Sequence, residues 1–214
     1  LLIYSFADSA SFDETFFSRI VQNSAVIAQG VSSDSTIVPG SESFPVTGNV
    51  KTISSTGSIT LAEGSDNPFN SSIAADDASV EMLQLQLTAS SAESLKIADL
   101  QIKSSGTGND VSDIDSVYLY NDLNANGIYD SSVDTLLSSS SPFTQDNGTL
   151  TFSFTDSLLF ASGVSQNWLV VYDFSGTATA TETFQTSIEL ATYLNGKGTT
   201  SGLDMNVSGS FPIN

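Results

Sequence analysis

Between positions 122 and 134 the chain reads Asp122-Leu123-Asn124-Ala125-Asn126-Gly127-Ile128-Tyr129-Asp130, followed by Asp134. With Asp122 as the first position, oxygen-bearing side chains occupy the first, third and fifth places and Gly127 the sixth. The Ile128 carbonyl follows at the seventh and Asp130 at the ninth. Calcium requires this pattern: about six to eight hard oxygens at ~2.3–2.6 Å, and a glycine where the chain bends sharply. The bidentate Glu that closes an EF-hand is replaced by Val133, so the closing carboxylate falls to Asp134 one place later. The expected ligands are therefore Asp122, Asn124, Asn126, Ile128, Asp130 and Asp134, and the expected ion is Ca²⁺. A solvated turn is the competing reading, because Asn and Asp readily bond their own backbone. The fit at every position through the ninth favours the ion. Magnesium, which keeps its waters, suits such a cage less well.

Other acidic groups lack that spacing. Asp110, Asp113 and Asp115 form one cluster and Asp76-Asp77 another, and both are expected to be solvated loops. Gly106-Thr107-Gly108 reads as a turn, since phosphate binding would need a helix start after it. The chain has neither His nor Cys, which excludes Ser-His-Asp and Cys-His catalysis and imidazole or thiolate metal sites. Hydrolysis by paired carboxylates has no supporting motif, so the protein is expected not to be an enzyme. Asn70-Ser-Ser72, Asn147-Gly-Thr149 and Asn206-Val-Ser208 match acceptor sites for glycans.

The loop resembles dockerin and thrombospondin type 3 calcium loops. The wider stretch from Ser112 to Asp130, Ser-Asp-Ile-Asp-Ser-Val-Tyr-Leu-Tyr-Asn before the loop itself, is similar to one in bacterial and archaeal surface sandwich domains. That resemblance extends more loosely from Asn67 to Ile188, through Asp146-Asn147-Gly148-Thr149 and Trp168-Leu-Val-Val-Tyr-Asp-Phe174. It implies an extracellular β-sandwich and no particular reaction, and it does not reach residues 1–65.

The elements that must hold such a loop are strands. Leu83-Gln84-Leu85-Gln86-Leu87 alternates strictly, which places three leucines on one face of a pleated strand and leaves the glutamines to water. Leu150, Phe152 and Phe154 alternate with Thr and Ser, as do Phe184, Thr186, Ile188 and Leu190 with polar neighbours. Between Leu95 and Lys103 the apolar parity changes from Leu95 and Ile97 to Leu100 and Ile102, which predicts a bulge near Ala98-Asp99. Trp168 to Tyr172 is apolar on both faces and reads as a central strand. Further strands are expected at Thr36–Val38, Asn49–Ser54, Ser58–Ala62, Val80–Ala89, Ser116–Asn121, Thr149–Thr155, Asn167–Phe174, Thr183–Thr192 and Asp204–Ser210. The fold class is therefore mainly β: an antiparallel β-sandwich, Ig-like or jelly-roll-like, with a helical or extended N-terminal arm. Phe12, Phe16, Phe17, Ile20, Val21, Ala25 and Ile27 recur near helical spacing before Gly30, so Asp13 to Ala28 is the candidate helix. The expected division is an arm at 1–30, a β segment at 31–65 and a calcium-stabilised sandwich at 66–214. The last two stand either apart or as one domain, with Asp66-Asn67-Pro68 as the turn between them.

Charge narrows the partners. Five basic residues face 24 acidic ones, for a net charge of −19. Nucleic acid is disfavoured, because phosphate binding needs clustered Lys and Arg. No apolar run is long enough to span a bilayer as a helix. Bound divalent cations would relieve the self-repulsion. Without Cys, no disulfide can staple the fold. The chain begins Leu1-Leu2-Ile3-Tyr4 without Met, which leads to the expectation of a processed, exported protein. Together these features lead to the expectation of an extracellular or cell-surface structural subunit of a filament, pilus-like fibre or surface layer. It would form a homo-polymer through the N-terminal arm, the competing reading being that the arm covers its own sandwich. The alternative is a calcium-stabilised adhesion or carbohydrate-binding module that presents Tyr118, Tyr120 and Tyr129 to glycans.

Overall fold

Among the described residues of the first 55, six two-residue strands pair as nested antiparallel ladders. β1 (Thr15–Phe16) pairs with β6 (Lys51–Thr52), β2 (Arg19–Ile20) with β5 (Val46–Thr47), and β3 (Ala28–Gln29) with β4 (Thr36–Ile37). The result is a β-ribbon folded back on itself. The computed structural model describes residues 2–6, 10–11, 14–38, 40, 44–53, 56–140 and 143–214. It divides the chain into two compact units, Leu1–Ser55 and Thr56–Asn214.

The helix expected from Asp13 to Ala28 is not formed by its described residues, Phe12 and Asp13 lying outside them. Among its described residues a 3-10 turn, Asn23–Ala25, stands among the short strands. The β-branched Ile20, Val21, Val26 and Ile27 lose rotamer freedom in a helix, and pairing across the ribbon gives their backbone an alternative. The extended form of the arm is the one adopted. None of the described residues from Leu2 to Ile53 is buried.

In the second unit, alternation becomes two sheets. The strands are β7 (Ser58–Glu63), β8 (Val80–Ala89), β9 (Leu95–Gly106), β10 (Ile114–Asp122), β11 (Thr135–Ser140), β12 (Thr149–Phe160), β13 (Ser165–Phe174), β14 (Phe184–Ser187), β15 (Leu194–Gly198) and β16 (Asn206–Ser208). A single helical turn, α1 (Asp110–Asp113), lies between β9 and β10. One sheet runs β11-β10-β13-β8-β7-β16, and the other β12-β9-β14 with β15 also paired to β9. All pairs are antiparallel except β16 with β7. β7 pairs with β8, so Ser58–Glu63 belongs to this unit.

The core lies between the sheets. Leu83, Leu85 and Leu87 of β8 and Trp168, Val170 and Tyr172 of β13 join Ile97, Leu100 and Ile102 of β9 and Phe152 and Phe160 of β12 in one buried cluster. Burying each such side chain is worth roughly 1.5–3 kcal/mol, so the strictly alternating segments decide which face of each strand turns inward. β13 sits inside the six-stranded sheet, as its two apolar faces predict. Ala98 is the extra residue of β9 opposite β15: Asn195 and Gly196 are consecutive but pair with Asp99 and Ile97. That is the bulge expected from the parity change.

A carboxylate ties the loops at one end of this unit. Glu93 accepts from the Gly57 N–H (3.2 Å), the Thr200 N–H (2.8 Å), the Ser201 N–H (3.0 Å) and the Ser201 hydroxyl (2.6 Å). Burial works to raise its pKa, but the bonds from Ser201, Thr200 and Gly57 outweigh it and hold the group at about 2, below the ordinary 4.5. A depressed carboxylate adds stability that is present above pH 4.5 and is lost as pH falls toward 2. Glu93→Gln should therefore cost about 1–2 kcal/mol at neutral pH, kept modest by solvent screening. It should also flatten the acid limb, and urea melts at pH 7 and pH 3 read both effects.

Candidate calcium loop

The segment from Asp122 to Asp134 is the hairpin connection between β10 and β11. Pairing places it: Asp122 ends β10 opposite Asn167 of β13, and Asn121 faces Thr135 of β11. Asp122 is buried at 2% exposure, although it carries a carboxylate. Its Oδ2 accepts from the Gly127 N–H (2.9 Å) and from the Gln84 side-chain amide (2.7 Å), and its Oδ1 from the Asn126 N–H (3.3 Å). The Asn124 Oδ1 accepts from the same Asn126 N–H at 3.3 Å, and the Asn126 Oδ1 from the Ile128 N–H at 2.9 Å. These bonds wind the chain around Asp122, with Ala125 and Gly127 in left-handed conformations at φ 57° and 68°. A Cβ on Gly127 would overlap the carbonyl oxygen of Asp66, so the sixth place must be glycine for space as well as for φ.

The far end of the loop closes separately. Asp134 accepts from the Leu123 N–H (3.2 Å) and the Asp130 N–H (2.8 Å), and its own N–H donates to the Asp130 carbonyl (2.8 Å). Asp130 Oδ1 accepts from the Ser132 N–H and hydroxyl, which lower its pKa. The structure thus gathers Asp122, Asn124, Asn126 and Ile128 at one end and Asp130 and Asp134 at the other. Leu123 joins them, since its N–H reaches Asp134. The Ile128 side chain is exposed, consistent with its expected contribution being the carbonyl.

The residues fit a hard cation by their chemistry: three carboxylates, two amide oxygens and a carbonyl, with no basic partner. The ion pair among the described residues, Lys197 with Asp204 at 3.3 Å, involves none of them. No group of three acidic side chains forms a ready metal cage among the described residues, so any cage here would depend on the amide and carbonyl oxygens. Bound there, calcium would supply charge neutralisation and cross-bracing of the two strand ends.

Gln84 was not foreseen as part of this site. Its place in the alternating run assigned it to water, yet it is fully buried. Its Oε1 accepts from the Asp66 N–H (3.0 Å), its amide donates to Asp122, and its backbone N–H donates to Asn67 Oδ1 (2.7 Å). The turn at Asp66-Asn67 and the loop cover this face of β8, and Gln84 satisfies both. Glu81 on the same strand accepts from the Tyr129 N–H at 2.9 Å.

The second acidic cluster also departs from expectation. Asp110 and Asp113 are buried, not solvated, because α1 folds them under Asn109, whose side chain caps the turn at the Val111 N–H. Asp110 accepts from the Ser104 hydroxyl (2.6 Å) and the Asn147 N–H (2.8 Å). Burial raises its pKa, with Asp146 and Asp113 adding to the effect. Glu182 is raised by burial and by its contact with Asp113. Asp146 and Glu182 lie 36 and 72 positions beyond Asp110 in the sequence, where no local spacing reveals them. Asp115 is exposed, as expected.

Three tyrosines form a row beside the loop. The Tyr118 and Tyr120 rings are 6.1 Å apart, and those of Tyr120 and Tyr129 are 4.4 Å apart. All three are half-buried, and burial followed by the Tyr129 contact pushes the Tyr120 hydroxyl well above its ordinary pKa. No known protein family matches this chain, and no curated protein shows significant sequence similarity to it.

Proposed function

We propose that this protein is a non-catalytic, extracellular structural subunit that assembles with copies of itself into a surface filament, pilus-like fibre or surface layer. Calcium in the Asp122–Asp134 loop braces its sandwich. One observation carries this reading: the described part of the first unit exposes Leu2, Ile3, Tyr4, Phe17, Val21, Ile27, Val31 and Val50 and buries nothing. A two-stranded ribbon is marginally stable in water at best, and it gains stability when a partner covers its apolar side chains. In a homo-polymer that partner is another copy. Filament formation by the full 214-residue chain, and its loss on deleting residues 1–55, is the expected result in electron microscopy and sedimentation velocity with calcium present. Dispersed full-length monomers that sediment like the shortened chain would refute it.

The tyrosine row supports a second reading, an adhesion or carbohydrate-binding module. Neighbouring half-exposed rings offer stacking faces to sugars, and the charge-bearing loop lies beside them. A glycan array probed with the protein in calcium separates the two, since an assembly subunit would leave the array blank. Among the described residues no helix is long and apolar enough to cross a membrane.

A further inference from the structure

We infer that residues 2–6 of one copy add as a strand to the open edge of β14 in a second copy, seating their apolar side chains in the cleft beside it. The inference rests on the assembly reading above and names its acceptor.

In the smaller sheet, β9 pairs with β12 on one side and with β14 and β15 in turn on the other. Beyond β14, Ile188 bridges antiparallel to Ile213 and Asn214 lines the adjoining cleft, while Phe184–Thr186 have no ladder partner on their outer edge among the described residues. Unpaired strand edges are templates for another strand. Next to this edge lies a cleft of about 850 Å³, lined in part by Val80, Met82, Phe174 and Phe184 and by Phe69 and Ile73 of the 66–79 loop. Phe174 belongs to the core, and Val80, Met82 and Phe184 pack against it, so the cleft reaches the interior of the sandwich. Phe69 stands at its rim, 95% exposed.

Charge selects the occupant. Glu81 and Glu182 line the same cleft, so an acidic segment would be repelled. The sandwich unit holds 19 of the chain's 24 acidic residues against three lysines, whereas Leu2-Ile3-Tyr4-Ser5-Phe6 carries no charged side chain. Leu2, Tyr4 and Phe6 alternate and would share one face of a strand, and the Tyr4 and Phe6 rings already stack at 6.3 Å. Five extended residues span about 17 Å, enough to cover β14. Among the described residues each copy offers this segment and this edge, so the contact is head-to-tail and leaves a free segment and a free edge at the two ends. Repetition then extends an open chain.

The absence of native cysteine makes the test direct. With Leu2, Tyr4 and Phe6 turned into the cleft, Ser5 points outward on the same face as the exposed Gln185. A mixture of full-length Ser5→Cys and Gln185→Cys copies, oxidised under assembly conditions, is expected to give disulfide-linked dimers. The yield should be at least tenfold that of Tyr4→Cys with Gln185→Cys, which have opposite parity, or of Ser5→Cys with Leu136→Cys on the far edge strand β11. Assembly with no preference for Gln185, or with preference for Leu136, would overturn the docking site while leaving self-assembly standing. Absence of cross-links in the variant mixture together with absence of assembly by the unaltered, cysteine-free chain would overturn both. Gln185 is exposed, and unchanged melting of its variant confirms that the acceptor is folded.

Discussion

Excess calcium will raise the melting temperature of this protein by about 5–10 °C over its value in chelator. Binding at a free concentration a hundredfold above Kd stabilises by about 2.7 kcal/mol, and each kcal/mol moves a domain of this size by about 2–4 °C. Asp122→Ala will abolish that increment and will also destabilise the calcium-free protein, by about 3 kcal/mol. The second effect has a separate cause: the Gly127 N–H and the Gln84 amide lose their buried acceptor, and buried donors without partners cost about 1–3 kcal/mol each. Asp130→Asn separates the two effects. The Asp130 side chain bonds only to Ser132, so its replacement should leave the chelator melt nearly unchanged and reduce the calcium increment. Identical melting of the unaltered protein in calcium and in chelator would end the ion assignment. Titration calorimetry supplies the independent reading of binding.

Gly127→Ala will be strongly destabilising, and Gly163→Ala is its control. Both glycines have positive φ, 68° and 70°, so both alanines bear the left-handed penalty of roughly 1–2 kcal/mol. Around Gly163 a Cβ meets nothing within 4 Å, and the cost should end there. At Gly127 the Cβ would overlap the Asp66 carbonyl, a backbone atom that cannot rotate away as a side chain would. The loop and the Asp66 turn must then separate, which disturbs the bond from the Asp66 N–H to Gln84. A total loss of about 3 kcal/mol or more follows from strain added to overpacking. Urea midpoints of the two variants test the difference; equal losses would mean that the turn and loop do not bear on each other. If calcium binds, Gly127→Ala should also weaken it, because the overlap acts on the backbone that carries Asn126 and Ile128.

The brace is therefore a property of three strands rather than of one loop. Asp122 closes β10, Asp134 precedes β11, and Gln84 brings β8 beneath them. No helix pair flanks the loop, so an ion there would act on stability instead of opening a surface as sensor EF-hands do.

Local periodicity was sufficient for much of the sandwich. The alternation at Leu83-Gln84-Leu85-Gln86-Leu87 has only one pleated solution that buries the leucines, so β8 was legible to its ends, Val80 and Ala89. The doubly apolar Trp168–Tyr172 run announced an interior strand, and the parity change announced the Ala98 bulge, because each is written in consecutive residues. The loop's oxygen spacing and its glycine are equally local. What pairing across long separations decides could not be read this way. β11 has adjacent leucines followed by serines, and β15 contains two glycines in five residues; each becomes a strand by pairing with β10 or β9. The nested ribbon overrode the helical spacing of Phe16 to Ile27 because residues 7 to 37 positions away supplied partners. Gln84 reads as a solvent-facing residue until the Asp66 turn covers it, and Asp110 and Asp113 as a solvated loop until Asp146 and Glu182 arrive from distant strand connections. Which face of a strand is apolar is a matter of neighbours in sequence. Whether its polar face stays wet depends on what the rest of the chain lays over it, and that is set by tertiary packing alone.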